Sequence, residues 1–393
     1  MKSNGTRASR LNKLSNTIKR PPFECIALVL QGGGALGSYQ AGVYEALAEV
    51  DLLPDWVAGI SIGAINAAII AGNPINNRVA QLKLFWEHLC ANPLLDWSSV
   101  FAPITSTNIL GRNLFNQTSA WSSLMNGVPN LFTPRIPAPF FYPDGTIEAT
   151  SFYDLNPLKT TLDRFVDFDR INNEPIRFSV GAVNVTSGNF IYFDNTTHTI
   201  RPEHVIASAS LPPGFAATEI DGEFYWDGGL ISNTPLEWVV EGETRQDTLA
   251  FQVDLWNAQG ILPRTIAETM TRQKEIQYSS RTRASTFHFQ RLQSIRCTLA
   301  SLLSKLPPHL SEGKEASLLK EIADHKVYNI VQLIHRPKQS EGHSKDYEFA
   351  LLTMREHWNA GYADTVRTLQ YPQIFKRPSH EEGVLTFDLS RTI

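Results

Sequence analysis

Cysteine is scarce in this sequence, and long apolar runs and a strong net charge are absent. Only three of the 393 residues are cysteines, Cys25, Cys90 and Cys297. Their odd number and wide spacing exclude a disulfide framework or a zinc knuckle, so we expect core thiols in a reducing compartment. No run approaches the roughly 20 apolar residues of a membrane span. A net charge of −4 gives no reason to expect nucleic acid as a partner.

The beginning of the chain is basic and contains no acidic side chain through residue 22. Pro21 and Pro22 follow before an apolar core of signal-peptide length is reached, so no secretory signal is predicted. We expect residues 1–22 to form a mobile basic tail, with weak attraction to an anionic membrane surface as the alternative. The protein is therefore expected to be cytoplasmic, with peripheral membrane contact as an option.

Apolar runs alternate with helical patterns in the first part of the chain. Cys25–Leu30 predicts a strand buried on both faces, and residues 38–50 have helical spacing. Residues 54–60 predict a second strand, and Ile62–Ala71 predicts a second helix that ends at a Gly-Asn-Pro turn. This order predicts the start of a parallel α/β sheet with helices on its faces.

Later segments extend this pattern and then change in character near residue 260. Before that point, strands are predicted at 176–185, 189–193, 218–226 and 248–255, with a short helix at 203–211. The 218–226 segment is predicted to be a hairpin that turns at Asp221-Gly222. After it, a polar helical stretch at 265–306, a strand at 326–334 and a helix at 347–369 are predicted. We therefore divide the chain into a domain at 23–260 and a mainly helical extension of unknown role at 261–393.

Residues 97–143 stand apart because they are aromatic and proline-rich and carry only two charged side chains, Arg112 and Arg135. Neither a helical nor a strand period is evident. Packing of this insertion on the core is the simplest interpretation. Lining an acyl-chain groove, or forming a lid over one, is the alternative, since ligand sites are mostly apolar.

The stretch Gly59-Ile60-Ser61-Ile62-Gly63 is a G-x-S-x-G pattern between a predicted strand and a predicted helix. A serine at such a turn is held in a strained backbone conformation that exposes its hydroxyl. Glycines two residues before and after remove side chains that would collide there. The pattern predicts Ser61 as a nucleophile, with Gly59 and Gly63 shaping the turn.

A glycine-rich loop, "QGGGALG", follows the first predicted strand. Attack on an ester creates an oxyanion, and backbone N–H groups near Gly33 and Gly34 could stabilise it with no Cβ in the way. Gly32, Gly34 and Gly37 also fit a dinucleotide fingerprint. The strand ending near residue 60 lacks the acid that would hold a ribose, which argues against this interpretation. No Gly-Lys-Ser/Thr follows, which excludes a Walker loop.

Two residues are candidates for the base that activates Ser61. His335, after a late apolar run, would complete a Ser61–Asp227–His335 triad in the chain order of an α/β-hydrolase. Asp227, in Trp-Asp-Gly-Gly after the hairpin, would ordinarily be a turn former. Together with a serine turn and a glycine-rich donor loop, Asp227 becomes the natural base.

Four stretches, "LQGGGALGSYQAGV", "GISIGAINA", "ASASLPPGF" and "DGEFYWDGGLISNTPL", together resemble the patatin-like phospholipase family of bacterial type, over roughly 24–256. The resemblance implies a three-layer α/β/α fold with a mostly parallel central sheet. It implies a lipid acyl hydrolase with a Ser–Asp dyad: Ser61 as nucleophile and Asp227 as proton acceptor, followed by Gly228 and Gly229. The oxyanion loop carried over by motif comprises Gly32, Gly33, Gly34, Ala35 and Gly37. Gln31 replaces an acid, and Leu36 a basic residue, that the family often has.

The sequence therefore predicts a serine-dependent acyl hydrolase acting on a fatty-acyl ester or a phospholipid, with neither a metal nor an organic cofactor. Leu36 stands where the family often has a basic residue, so a positive charge that could neutralise a phosphate is missing. The prediction therefore concerns the acyl ester first and the phospholipid headgroup second. A lipid-binding or scaffold protein with the same fold and little turnover is the alternative from another class. The oligomeric state and the lipid class are not predicted.

Overall fold

The computed structural model describes residues 19–91, 109–242, 245–336 and 345–389. Its strands are β1 (Cys25–Leu30), β2 (Trp56–Gly59), β3 (Thr133–Pro134), β4 (Tyr153–Asp154), β5 (Arg177–Asn184), β6 (Phe190–Asp194), β7 (Thr218–Ile220), β8 (Glu223–Asp227), β9 (Thr248–Asp254), β10 (Tyr328–Ile334) and β11 (Val384–Phe387). Its α-helices are α1 (Ser38–Ala48), α2 (Ile62–Ala71), α3 (Arg78–Cys90), α4 (Ile109–Asn126), α5 (Asn156–Phe165), α6 (Phe168–Asn173), α7 (Pro202–Ala209), α8 (Leu236–Glu241), α9 (Ile266–Leu303), α10 (Pro308–Ser311), α11 (Lys314–Ile322) and α12 (Leu351–Thr368).

Nine of the strands in the described residues form one sheet, in the order β11-β10-β9-β1-β2-β5-β8-β7, with β6 also paired to β5. The strands from β11 to β5 are parallel to their neighbours. Strands β6, β7 and β8 pair in antiparallel fashion. The predicted mostly parallel α/β sheet is thereby confirmed.

Both faces of β1 are buried, because its side chains alternate between two cores. Ile26, Leu28 and Leu30 belong to a large cluster that includes residues of α1, α2, α3 and α12. The intervening Cys25, Ala27 and Val29 belong to a smaller cluster with residues of α8 and α9. A strand buried on both faces reads as a continuous apolar run, as CIALVL does. Helices thus cover both sides of the sheet, which gives three layers.

Strand β5 brings the ends of β2 and β8 to one place. Gly59 of β2 pairs with Val180, and Asp227 of β8 pairs with Ala182. Strand β6 overlaps both partners of β5, so β2 and β8 must share the opposite edge of that strand. The predicted hairpin forms β7 and β8 and turns at Asp221 and Gly222, both with positive φ. Because β2 and β8 pair with neighbouring residues of β5, Asp227 at the end of β8 lies beside the turn that follows β2.

The tract after residue 260 is built into the same sheet. The predicted polar helix is α9, the predicted strand is β10, and the last predicted helix is α12, which packs on α1. Strand β10 pairs along its full length with β9, and β11 pairs with β10. A helical C-terminal region is thus present, and its strands extend the central sheet. The boundary near 260 stays a prediction.

The insertion at 97–143 contains a helix that the sequence pattern did not predict. Residues 109–126 form α4, and 133–134 pair with 153–154 in a small two-stranded ribbon. The prolines of the insertion lie outside α4. The prolines and aromatic residues around α4 obscured the one stretch of the insertion that is compatible with a helix. Residues 97–108 and most of the basic tail lie outside the described residues. Within the described ranges, no helix is both long and apolar enough to cross a membrane.

Candidate active site

Ser61 lies at a sharp turn between β2 and α2. Its φ of 56° and ψ of −126° are values that a residue with a side chain rarely adopts. Its N–H donates to the carbonyl oxygen and to the hydroxyl oxygen of Ser208, each at 3.1 Å. Strain of this kind persists only where the surroundings enforce it, and it clusters at functional sites. The geometry is that of the strand–turn–helix that the G-x-S-x-G pattern predicts.

The two flanking glycines allow this turn to close. A Cβ on Gly59 would collide with the backbone of Gly63, and a Cβ on Gly63 would collide with the carbonyl oxygen of Leu30. Main chain therefore packs directly on main chain at both positions. Substituting either glycine would push β2 away from α2 and displace Ser61.

Asp227 ends β8 and is buried, with 2% of its surface exposed. Its Oδ1 accepts a 2.7 Å hydrogen bond from the N–H of Gly229. Burial raises the pKa of Asp227 to about 7, and the Gly229 N–H and the neighbouring Ser61 side chain only partly oppose that rise. A carboxyl group whose pKa lies near 7 is well suited to accept a proton from a neighbouring serine hydroxyl at neutral pH.

The peptide planes of the glycine loop are fixed by hydrogen bonds to their carbonyl groups. The carbonyl oxygen of Gly32 accepts from Asn233 Nδ2 at 3.0 Å and from Trp256 Nε1 at 2.9 Å. The carbonyl oxygen of Gly33 accepts from the N–H of Leu36 at 3.2 Å. In a trans peptide the N–H points opposite to the C=O. The N–H groups of Gly33 and Gly34 are thus turned away from these partners, and within the described part of the chain neither has an acceptor.

Other members of the predicted loop are already engaged. The N–H of Gly32 donates to the backbone carbonyl oxygen of Asn233 at 3.1 Å, and the N–H of Ala35 donates to the backbone carbonyl oxygen of Asp346 at 2.8 Å. That carbonyl also packs on Gly34, whose φ of 56° and lack of a side chain make room for it. The carbonyl of Gly37 accepts from Asn66 Nδ2 at 2.9 Å. The candidate donors for an oxyanion therefore narrow to Gly33 and Gly34.

A cavity of about 490 Å³ opens onto these groups. Ser61, Asp227 and the glycines at 32–34 and 229 lie in its wall, whereas Ala35, Gly37, Gly59, Gly63 and Gly228 do not line it. Much of the remaining wall is apolar and comes from the insertion and from the segments near 155 and 211. These residues are Leu124, Leu131, Phe132, Leu155, Leu158, Leu211, Pro212, Pro213 and Phe215. Leu124, Leu131 and Phe132 belong to the predicted insertion, so part of that segment lines the cavity.

Gln31 is a structural residue of the site whose role the sequence did not reveal. Its side chain is fully buried, and its Oε1 accepts from the N–H groups of Leu255 and Trp256 at 2.6 and 2.9 Å. Its Nε2 donates to Thr234 Oγ1 at 2.9 Å. One amide thereby joins the start of the glycine loop to the segment after β9 and to the loop before α8. An amide suits this position because it must both accept and donate.

Tyr278, on α9, is a second residue that sequence reasoning missed. It lines the cavity, and its ring packs against Trp256 with centroids 5.2 Å apart. Burial and the negative charges of Asp227 and Asp346 raise its pKa to about 12. Its hydroxyl therefore stays protonated at neutral pH and can donate a hydrogen bond.

His335, the alternative base, lies in another part of the sheet. It follows β10, which is separated from β2 by β9 and β1, and three strand spacings amount to about 14 Å. Its buried ring packs against Tyr39 and His357, with centroids 5.1 and 4.9 Å apart, and it does not line the cavity. The structure thus brings Ser61 and Asp227 together and keeps His335 away from them. In the described ranges, no group of three or more His, Cys, Asp or Glu side chains is arranged to hold a metal ion.

Two parts of the chain match descriptions of known protein families. The description "Patatin-like phospholipase" matches residues 28–239, more than half of the chain, and includes both Ser61 and Asp227. The chain belongs to the patatin-like phospholipase family. A second description, "Patatin phospholipase", matches residues 276–381 of the C-terminal region, which carry Tyr278 and Asp346. Both regions that meet at the cavity thus match patatin-type descriptions.

Several curated patatin-like proteins are similar to part of the chain. A putative patatin-like phospholipase domain-containing protein of Caenorhabditis elegans is 38% identical over 71 residues, which is 18% of this chain and 6% of that protein. Patatin-like phospholipase domain-containing protein 6 of Homo sapiens is 34% identical over 100 residues, 25% of this chain and 7% of that protein. Neuropathy target esterase of Drosophila sechellia is 36% identical over 93 residues, which is 24% of this chain and 6% of that protein. The matched stretch is therefore a small fraction of these much longer relatives.

Among solved structures, VipD from Legionella pneumophila is similar to this chain at 16% sequence identity and a TM-score of 0.42. The match covers 97% of this chain and 78% of that one.

Proposed function

We propose that this patatin-like chain is a serine-dependent hydrolase of fatty-acyl esters. The observation that carries the proposal is the placement of Ser61, at its strained turn, and the buried carboxyl group of Asp227 in the wall of one largely apolar cavity. A serine hydroxyl becomes a nucleophile when an adjacent base takes its proton. The names of the curated relatives, phospholipase and esterase, support the same class of reaction.

In the first half of the proposed reaction, Ser61 Oγ attacks the ester carbonyl carbon while the Asp227 carboxylate accepts its proton. The carbonyl oxygen becomes an oxyanion that receives hydrogen bonds from the N–H groups of Gly33 and Gly34. The nearby N-terminus of α2 adds a favourable field for negative charge. Collapse of the intermediate breaks the bond to the alcohol oxygen, which takes the proton from Asp227 and leaves an acyl-serine.

In the second half, Asp227 accepts a proton from a water molecule as that water attacks the acyl-serine. A second oxyanion forms in the same place, and its collapse returns the proton to Ser61 Oγ and releases the fatty acid. The apolar part of the cavity wall would hold the acyl chain through both steps. Every proton that leaves an oxygen in this scheme returns to one, and no further reactant is needed.

Membrane contact is the second part of the proposal, supported by an exposed apolar patch next to the cavity. Ile136, Phe140 and Phe141 are 85%, 83% and 78% exposed. The Phe140 ring packs against Phe152, whose N–H donates to the carbonyl oxygen of the cavity-lining Pro213. Isolated apolar side chains are common on surfaces, but a group of this kind beside a site is typical of an interaction surface. We propose that this patch rests on a lipid surface.

Hydrolysis of p-nitrophenyl esters with short to long acyl chains tests the catalytic proposal. Turnover by the native chain should fall by about 10⁴-fold or more in Ser61→Ala and in Asp227→Asn, the order of loss that follows removal of one member of a Ser-His-Asp triad. His335→Gln is the matched control and should retain activity. Loss of activity in that control, or full activity in Asp227→Asn, would contradict the dyad. A native chain inert on every ester would favour a lipid-binding protein.

A further inference from the structure

Asn233 lies in the cavity wall and holds the first residue of the glycine loop with two hydrogen bonds. Its backbone carbonyl oxygen accepts from the N–H of Gly32 at 3.1 Å, and its side-chain Nδ2 donates to the carbonyl oxygen of Gly32 at 3.0 Å. Only the nitrogen of a side-chain amide can donate to a carbonyl group, so this contact fixes which way the amide points. The side-chain oxygen Oδ1 therefore lies on the other side of the amide group.

The Asn233 Oδ1 atom borders the same space as the two residues of the proposed dyad. A Cβ on Gly229 would lie 3.0 Å from Asn233 Oδ1 and 3.1 Å from Asp227 Oδ1. These two oxygens are therefore at most about 6 Å apart, a separation that one water molecule can bridge with two hydrogen bonds. A Cβ on Gly32 would collide with the same amide oxygen and would lie 3.1 Å from the Ser61 Cβ. The amide oxygen is thus close to both the carboxyl group and the serine.

This amide oxygen is an acceptor that the rest of the protein does not use. Asn233 is 6% exposed, and within the described residues no N–H or O–H group donates to its Oδ1. The polar atoms of buried side chains are normally hydrogen-bonded, either to protein groups or to water. Because Asn233 lines the cavity, a molecule inside the cavity can donate to this oxygen.

The absence of charge on this acceptor suits its position beside Asp227. An amide oxygen accepts a hydrogen bond without carrying a full charge. A carboxylate in its place would repel the negative charge of Asp227 and raise the pKa of that group further. The Asn233 oxygen can therefore orient a donor next to the base without competing for its proton.

We propose that Asn233 orients the water molecule that attacks the acyl-serine. The proposal rests on the proposed ester hydrolysis and deepens its second half. The water donates one hydrogen to Asn233 Oδ1 and the other to the Asp227 carboxylate, which directs a lone pair at the acyl carbonyl carbon. A bond forms between the water oxygen and that carbon as the second hydrogen moves, as a proton, to Asp227. Collapse then breaks the bond to Ser61 Oγ, which takes this proton, and the fatty acid leaves.

Rapid-mixing hydrolysis of a p-nitrophenyl ester by the full chain separates the two halves of the reaction. The first release of p-nitrophenolate reports acylation, and the decay of the acyl mass on the protein, followed by mass spectrometry, reports deacylation. Asn233→Ala should slow deacylation about 10²-fold, the loss that follows when a reacting group is misplaced by about 1 Å. Acylation uses no water and should stay within about fivefold, the effect of losing one hydrogen bond to Gly32. Acyl-protein should therefore accumulate in the variant.

Trp256→Phe is the matched control, because Trp256 Nε1 donates to the same Gly32 carbonyl oxygen at 2.9 Å. This variant removes a donor to that carbonyl and leaves Asn233 Oδ1 in place. Both halves of the reaction pass through an oxyanion at the glycine loop, so Trp256→Phe should slow both by a similar factor. If Asn233 served only to brace the loop, Asn233→Ala would behave in the same way. Equal slowing of its two steps would overturn the proposal.

Hydroxylamine provides a second measurement on the same variant. It attacks an acyl group without first losing a proton, so it should release the acyl group of Asn233→Ala as a hydroxamate nearly as fast as from the native protein. A distorted loop would keep that release slow as well, and this result would also overturn the proposal. An inert native chain would overturn the hydrolase and the water site together. Native turnover with equal slowing of both steps in Asn233→Ala would overturn the water site alone.

Discussion

Replacing Asp227 with asparagine should inactivate the protein and at the same time stabilise it. Asparagine has nearly the same shape, and its side-chain oxygen can still accept from the N–H of Gly229. It cannot take a proton from Ser61. The buried carboxyl group has a pKa of about 7, compared with about 3.9 in an unfolded chain. The native protein therefore loses free energy of unfolding whenever this group must ionise in place.

The sign and the size of this effect follow from linkage. A carboxyl group with a raised pKa contributes stability that is fully present below about pH 3.9 and is lost as the pH rises through about 7. A difference of about 3 pKa units corresponds to about 4 kcal/mol. Asp227→Asn should thus gain about 4 kcal/mol at pH 8 but only about 1.5 kcal/mol at pH 5, where the native carboxyl is largely protonated.

Thermal unfolding of the two proteins at both pH values measures this difference. An unfolding entropy of about 2.1 cal/mol/K per residue over 393 residues converts about 4 kcal/mol into a Tm increase of about 5 °C at pH 8. Asp254, whose pKa burial also raises to about 7, titrates in both proteins and cancels in the comparison. Ester hydrolysis by the native chain should rise with pH through about 7, because the ionised carboxylate is the base. An equal or lower Tm for the variant at pH 8 would refute the reasoning.

Two further predictions concern the frame of the site and its surface. Gln31→Leu should lower the free energy of unfolding by about 2–4 kcal/mol, because the N–H groups of Leu255 and Trp256 would lose their buried acceptor. Urea unfolding measures this, and an unchanged midpoint would contradict the bracing role. The double variant Phe140→Ser/Phe141→Ser should weaken binding to phospholipid vesicles about tenfold or more while hydrolysis of a soluble ester stays unchanged. Equal vesicle binding in a flotation assay would remove the patch from the proposed lipid contact.

The sequence predicted those parts of the site that depend on local geometry. Ser61 could be located because a strand, a tight turn and a helix leave a pattern of glycines and apolar residues within a few positions. Asp227 could be located because the hairpin before it has strong turn residues at Asp221-Gly222. Their roles stay predictions, although the structure brings their side chains together.

The parts that could not be predicted depend on contacts between distant segments. Gln31 meets residues more than 200 positions away, and no local pattern distinguishes its amide from an exposed one. Tyr278 belongs to a long polar helix whose sequence does not indicate which side chain faces a cavity. The sequence predicted a separate extension after residue 260, because nothing local shows that β10 pairs with the distant β9. Strand β11 in turn joins the sheet by pairing with β10.

The position of β10 in the sheet has a consequence for synthesis of the chain. Strand β9 is complete at Asp254, but the strand that covers its outer edge ends only at Ile334. At 5–20 residues per second, the ribosome needs about 4–16 s to make the intervening 80 or so residues. During that interval β9 is an open edge in a nearly finished sheet, and an open edge invites pairing with another chain. We therefore expect the edge of β9 to stay open to pairing with another chain until β10 has been made.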